Sequence, residues 1–553
     1  MTKLPGSRWA TVPGALAVAL LATSCAAAPA PSTAPAGVAR SAGPVPAVAE
    51  ELPLGPDTLE ESRTVRDVAP GVTHTTIERG HTPSGAPWTV TAGFGTTEAE
   101  VRELEQRVRA AGYTPRRDAA AGPDPAGDAR RPLGWMVRVG RYADEAAANR
   151  TRQALRAAGV GAKVQSVPTD GHPTSGPWSL DVLVVDPEEF DGRIAAELAQ
   201  GEVPGRERVS SIARRTGALA AVNGGYFVLG SRTEPGPWVA GTEGDLAGIS
   251  VVDGELVSEA VGDRPALVLP SGSGEGAAVR RLRTRLSVRT AGGAERQVTG
   301  LNRQAGLIAN CGGVGDATPM RTPAHDYTCG NANELVALTA AFGGTAPSGT
   351  GYQAVLDGGG RVTAVREGRG GAVPSSGTLL QGTGTSADWL RTHAVPGAVL
   401  RVGRTVLDAE TGRALPPAAG TSVVNGGPLL LRDGEVALDP VRDGWSPRDV
   451  LGADRAAFYN DWYLRRNPRT AAGVTADGKV ILLTADGHVP GRGVGLTITE
   501  TAGVMRALGA VDALNLDGGG STTMVVDGAL VSRPSDAAGE RPDGDAVVLV
   551  PRP

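Results

Sequence analysis

Lysine is almost missing from this 553-residue chain. It stands only at 3, 163 and 479, so arginine carries nearly all the positive charge. The net charge is −5. That leaves no basic excess for gripping a phosphate backbone, and no nucleic-acid partner is expected. Aromatics are scarce, at 4%. No stretch of the mature chain runs to 18 uninterrupted apolar residues, so no membrane-spanning helix is expected. The six histidines and three cysteines make no cluster with metal-ligand spacing, so neither a metal nor a cofactor is expected. There is no G-x-S-x-G elbow and no Walker loop. Glycine and proline are plentiful, 79 and 41. They show no Gly-X-Y period, which excludes collagen and favours a turn-rich β or mixed architecture over a helical bundle. Apolar residues at 41% suffice for a sizeable core.

The cysteines divide between two roles. Cys25 ends an export signal that has Lys3 and Arg8 followed by the apolar run Ala15 to Ala22. Ala22-Thr-Ser-Cys25 resembles a lipobox with Ala where Leu is usual, and cleavage near Ala28 is the competing reading. The protein is therefore expected to be extracytoplasmic, either secreted or lipid-anchored at Cys25. In an exported chain Cys311 and Cys329 are read as a disulfide, which contributes roughly 3 kcal/mol on the chain-entropy model. Residues 29–60 are Ala/Pro-rich and read as a flexible tether after a signal at 1–28. Residues 61–86 carry a β-type run around Gly71 to Glu78.

An internal repeat follows. WTVTAGFGTTEAEVRELEQRVRAAGY from Trp88 and WMVRVGRYADEAAANRTRQALRAAGV from Trp135 share ten positions, among them Trp88/Trp135, Gly93/Gly140 and Gly112/Gly159. Each copy reads strand, turn, helix, with the glycine placed to end the helix. Over 87–167 this βαβ-βαβ unit resembles a SPOR domain, the small module that binds peptidoglycan glycan strands stripped of their peptides. The resemblance rests mainly on the second copy.

From 177 to 553 short apolar strands alternate with Gly-rich turns. Asn223-Gly224-Gly225, Asn425-Gly426-Gly427 and Asn515-Leu-Asp517-Gly518-Gly519-Gly520-Ser521-Thr522 sit at strand ends. There consecutive glycines let backbone N–H groups approach an anion. Arg469 supplies a fork of donors for a phosphate. Asp486, in an Asp-Gly pair, and Glu500, read as mid-helix, are further candidate carboxylates. Leu356 to Gly360 reads as a plain hairpin turn.

These motifs occur in the order found in the phosphodiester glycosidases, the family of the lysosomal uncovering enzyme, and Asn515 to Ser521 is the most specific of them. Arg533-Pro-Ser535 and Glu540-Arg-Pro542 resemble the family's end, and Ala69 to Gly80 its opening strand. The resemblance implies an α+β fold: a mixed-sheet glycosidase domain with the SPOR-like unit inserted. It further implies hydrolysis of an N-acetylglucosamine-like sugar-1-phosphodiester in the cell envelope. The leaving phosphate monoester needs little acid help. The site therefore needs donors for phosphate and a carboxylate for the sugar side. Asp517, Glu500 and Asp486 are the candidate carboxylates. The alternative is a non-catalytic envelope protein that binds sugar phosphates or wall glycans.

Overall fold

A computed structural model describes residues 51–85, 87–125, 131–230, 241–270, 276–310, 323–446, 453–489 and 491–552. The export signal, Cys25 and Cys311 lie outside them. The expected tether ends before residue 60. Leu52 and Leu54 are buried against Trp178 in the main core, and Arg79 donates to the Leu54 and Leu59 carbonyls. Two leucines that find an apolar seat outweigh the Ala/Pro-rich composition around them.

The central element is an eight-stranded sheet. Its strands follow in the order Glu61–Ala69, Val72–Arg79, Trp178–Val185, Val480–Ala485, Arg469–Thr475, Ala510–Asn515, Leu429–Arg432 and Glu435–Val436. All its pairings are antiparallel. Among the described residues a parallel pair occurs only between Gly300–Leu301 and Leu335–Leu338, in a smaller sheet, so "mixed" describes the molecule and not the main sheet. The run Val-Ile-Leu-Leu at 480–483 is apolar without alternation because both faces are covered. Val480 and Leu482 face a second sheet through Val222, Val526 and Val547. Ile481 and Leu483 face the helix Ile498–Ala507 and the segment around Tyr459 and Tyr463. That second sheet contains Ala220–Asn223, Met524–Val526, Asp545–Pro551 and Gly192–Leu198.

The repeat folds as expected into strands Trp88–Gly95 and Trp135–Tyr142 with helices Glu98–Ala110 and Glu145–Ala157. Gly112 and Gly159 follow the helices at φ +85° and +77°. Pro115–Ala119 and Lys163–Ser166 complete a four-stranded sheet, and both helices pack on it. Arg116 and Arg117 lie on the strand Pro115–Ala119, paired with Asp118 and with Glu98 and Glu105. The unit is anchored to the rest of the chain. Ala120 and Leu133 join the core that holds Tyr459 and Tyr463. Arg455 grips Asp124 at 2.7 and 2.9 Å. Arg138, 1% exposed, donates two bonds to Asp170 at 2.6 and 2.7 Å. The strands before and after the unit, Val72–Arg79 and Trp178–Val185, pair with each other along their full length.

Candidate active site

The register of the large sheet brings the chemical residues to one rim. Arg469 pairs with Ala485, next to Asp486, and Ala471 pairs with Asn515, two residues before Asp517. In the second sheet Asn223 pairs with Ala546 and Val222 with Met524, so Asn223, Thr523 and Asp545 share the facing rim. Asn223 joins the two rims. Its Nδ2 donates to the Asp517 carbonyl at 2.9 Å. Its Oδ1 accepts from Thr470 Oγ1 at 2.7 Å and Thr523 N at 3.1 Å.

Most of the glycine motifs lie beneath this rim. Asn223 is fully buried with its amide committed, so it braces the rim and does not meet a sugar. Asn425 and Asn515 are buried as well. Asn425 Oδ1 accepts from Tyr226 N at 2.9 Å, and Asn515 Nδ2 donates to Tyr226 Oη at 3.0 Å. A Cβ on Gly224 would stand 2.3 Å from Asp545 Oδ1, and one on Gly426 2.6 Å from the Asn515 carbonyl. These glycines therefore let backbones touch. Gly225 and Gly427 are buried with them, as are Gly520, Ser521 and Thr522.

Asp517, Gly518 and Gly519 remain partly open. The Asp517 carboxylate is fixed: Oδ1 accepts from Gly518 N at 2.8 Å and Oδ2 from Ser521 Oγ at 2.9 Å. Burial raises its pKa to about 6 against the pull of those bonds. The expected nest of N–H donors is largely committed inside the protein. Gly518 N goes to Asp517, Gly519 N to the Pro468 carbonyl, Ser521 N to Gly518 and Thr522 N to Gly519. Gly519 has φ +63° and no atom within 4 Å of a notional Cβ, so its need for glycine is conformational.

Arg469 is not a surface charge. It is 1% exposed, with Nε on the Leu496 carbonyl at 3.0 Å, Nη2 on the Trp462 carbonyl and its guanidinium over the Trp462 ring. Burial lowers its pKa to about 10, so it stays charged at neutral pH. Asp486 is buried and accepts from Arg533 N at 2.8 Å. Burial, with Asp181 nearby, lifts it to about 7.

Glu500 departs from its expected place. It is the third residue of its helix, not a mid-helix residue, and closes a capping box with Thr497. Arg466 holds both its oxygens at 2.6 to 3.0 Å. Its carboxylate is bound up in structure, shared between Arg466 and the Thr497 N–H.

The family model described as phosphodiester glycosidase matches residues 350–550, and the SPOR model matches 84–166. A crystal structure from Burkholderia pseudomallei K96243, named "Putative exported protein", is 38% identical. It covers 91% of this chain and 98% of its own, with a TM-score of 0.82. The chain belongs to the phosphodiester glycosidase family. The mouse N-acetylglucosamine-1-phosphodiester alpha-N-acetylglucosaminidase is 48% identical over 68 residues, which is 12% of this chain and 13% of the mouse protein. A hypothetical protein from Synechocystis, 18% identical and covering 90% of this chain and 80% of its own, shares the fold at a TM-score of 0.51.

Several residues of this phosphodiester glycosidase domain escaped the sequence reading. Tyr226, His325, Trp445 and Trp462 form one aromatic wall. His325 stacks on Trp445 at 4.8 Å and meets Tyr226 edge-on at 4.4 Å, while Trp445 and Trp462 lie 5.0 Å apart. Burial and the charges of Arg264 and Arg469 hold the His325 imidazole well below its usual pKa, hence neutral. Arg264 is buried over the Trp445 ring, and neither its Nη1 nor its Nη2 has a hydrogen-bond partner among the described residues. Behind Asp517 lie two more buried carboxylates. Asp545 receives Gly225 N at 2.9 Å and is raised to about 7 by burial. Asp543 is buried and raised well above the carboxylate range by burial and by the charge of Asp517. The one sequence cue was Pro542-Asp-Gly-Asp545, two acids at i and i+2 opening an apolar strand. Arg264 and the aromatic residues are scattered along the chain and gave no cue.

Proposed function

We propose that this protein hydrolyses a sugar-1-phosphodiester, N-acetylglucosamine-like, outside the cytoplasm, with the SPOR-like domain holding it on wall glycans. The reading is carried by Asp517: a partly open carboxylate, gripped at both oxygens, on the same rim as a buried arginine and an aromatic wall. An aromatic wall suits the apolar face of a pyranose. Arg469 takes the phosphate, and the unpartnered donors of Arg264 are suited to an anion as well. Asp517 acts on the anomeric carbon or on a water beside it, and Asp486 is the further carboxylate of the rim. No step calls for a metal or cofactor.

In this reading residues 61–86 open the glycosidase domain, 87–167 are inserted into it, and 177–553 complete it. Cys311 and Cys329 form a bridge. The chain is exported by its first 28 residues and is either released or anchored at Cys25. The assay is release of free sugar from UDP-N-acetylglucosamine and from a nitrophenyl N-acetylglucosaminide by the mature chain. Saturable binding with no release would favour the non-catalytic binding role instead.

A further inference from the structure

The strand Ala278–Thr290 leads away from the candidate site with arginines along one face. It starts beside the aromatic wall, for Arg281 pairs with Pro265, the residue after Arg264. Asp443 ties the two arginines together. Its carboxylate takes Arg281, and its carbonyl takes Arg264 Nε at 3.2 Å. Side chains alternate along a strand, so Arg283, Arg285, Ser287 and Arg289 share one face. Leu282, Leu286 and Val288 point the other way, into a core. The flanking strands are Leu400–Asp408 and Glu295–Gln297. Across them Arg401 stands opposite Arg289, Gly403 and Gln297 opposite Ser287, and Thr405 opposite Arg285.

Three features set this face apart. The first is its charge. Arg283, Arg285, Arg289 and Arg401 are all exposed. Arg283 pairs with Asp263 and Arg289 with Glu295, but Arg285 and Arg401 make no ion pair among the described residues. The face is therefore locally positive on a chain of net charge −5. The second is the direct opposition of Arg289 and Arg401. Like charges across a strand pair cost stability, and an anion between them relieves the cost. The third is shape. Ser287 and Gly403 keep the middle of the face low, and a groove of about 340 Å³ follows it, lined by Arg283, Arg285, Ser287, Glu295 and Gln297.

We propose that this face binds a phosphodiester-linked anionic polymer, the chain whose sugar-1-phosphodiester the candidate site cleaves. Guanidinium forks suit phosphate oxygens. Arginines two residues apart on a strand stand about 7 Å apart, so they can meet successive charges of one extended chain. A single small anion needs one such group and not a row of them. The inference rests on the proposed hydrolysis and names its substrate as a polymer rather than a free sugar nucleotide.

The test does not need turnover. The full mature chain is titrated with long-chain inorganic polyphosphate over a series of salt concentrations. Saturable binding is expected, weakened about tenfold or more in the double variant Arg285→Ala/Arg401→Ala. The slope of log K against log salt should shrink by about 1.4, at roughly 0.7 for each lost phosphate contact. Both side chains are exposed and outside any ion pair among the described residues, so the variant keeps the fold, which an unchanged thermal midpoint verifies. Vesicles of phosphatidylglycerol and phosphatidylcholine test a lipid surface in place of a polymer. The proposal is overturned by no saturable binding to polyphosphate, by a variant that binds as tightly as the parent chain, or by vesicles bound at least as tightly as polyphosphate. Sugar release from a nitrophenyl N-acetylglucosaminide involves no polymer and judges the hydrolytic reading separately.

Discussion

At the scale of single residues the site turns on Asp517. Asp517→Asn keeps the shape and removes the charge. It is expected to lower kcat by about 10²–10³, the usual loss for one well-placed transition-state group. Unchanged circular dichroism would show that the fold survives, and near-normal turnover would dismiss the assignment. Its raised pKa has a direct consequence. If the ionised form reacts, kcat/KM falls as pH drops through about 6, the value at which burial holds this carboxyl. A profile flat from pH about 7 to about 5 would count against it. Arg469→Ala is expected to reduce kcat/KM for a phosphodiester about 10- to 100-fold, the loss of one or two charge-assisted bonds. Nitrophenyl glycosides carry no phosphate and should suffer less. Equal losses on both would remove Arg469 from the phosphate. Asp517 and Arg469 stand out in the sequence as candidates because they sit in or beside rare local patterns. Arg264, His325 and Trp445 were not, because nothing local announces a residue whose role is to be near another residue about 60 to 180 positions away.

At the scale of elements, helix starts and strand ends decide which polar groups are free. Thr497 and Glu500 close the start of Ile498–Ala507, and Glu500 also neutralises Arg466, which is 3% exposed. Glu500→Ala removes the cap partner and leaves a buried charge alone, with an expected cost of about 3–5 kcal/mol. Glu500→Gln keeps an acceptor for the Thr497 N–H and should cost less. Urea midpoints read the difference, and a larger loss for the Gln variant would refute this account. The Thr497 hydroxyl three residues before Glu500 is a capping box in the sequence itself. A helix read from Leu496, two residues before its actual first residue Ile498, sets Glu500 past the cap. The glycine motifs stand at strand ends, where most of them are buried against neighbouring backbone. Gly224 and Gly426 serve close backbone contact, which one sequence cannot distinguish from anion binding because both need the missing Cβ.

At the scale of the whole molecule, buried carboxylates set the response to pH. Asp486 and Asp545 titrate near 7 and Asp517 near 6 in the folded chain, against 3.8 for the ordinary carboxyl. The folded state thus holds more protons than the unfolded one in the range between, and stability rises as pH falls. His325 and His488 are lowered by burial and oppose this below about 6.5, where the unfolded imidazole takes up a proton. The midpoint of thermal unfolding should therefore be higher at about pH 6.5 than at about 8.5, and the reverse order would contradict the burial of these acids. The SPOR domain contributes to the same fold through Ala120, Leu133 and the Arg138–Asp170 pair, so it is anchored rather than tethered.

The sequence by itself determined the α+β class, the repeated strand–helix unit and the glycosidase motifs, and it singled out Asp517 as a candidate carboxylate. Each of these is written in local periodicity, spacing or a short run of glycines. Only the tertiary structure decided which polar groups are already spent and which remain available. It consumed Glu500, Asn223 and most of the expected N–H donors. It also brought Arg264, His325, Trp445, Asp543 and Asp545 to the rim. That decision depends on burial and on hydrogen bonds between distant segments, which arise when two sheets pack face to face and bring their strand ends together.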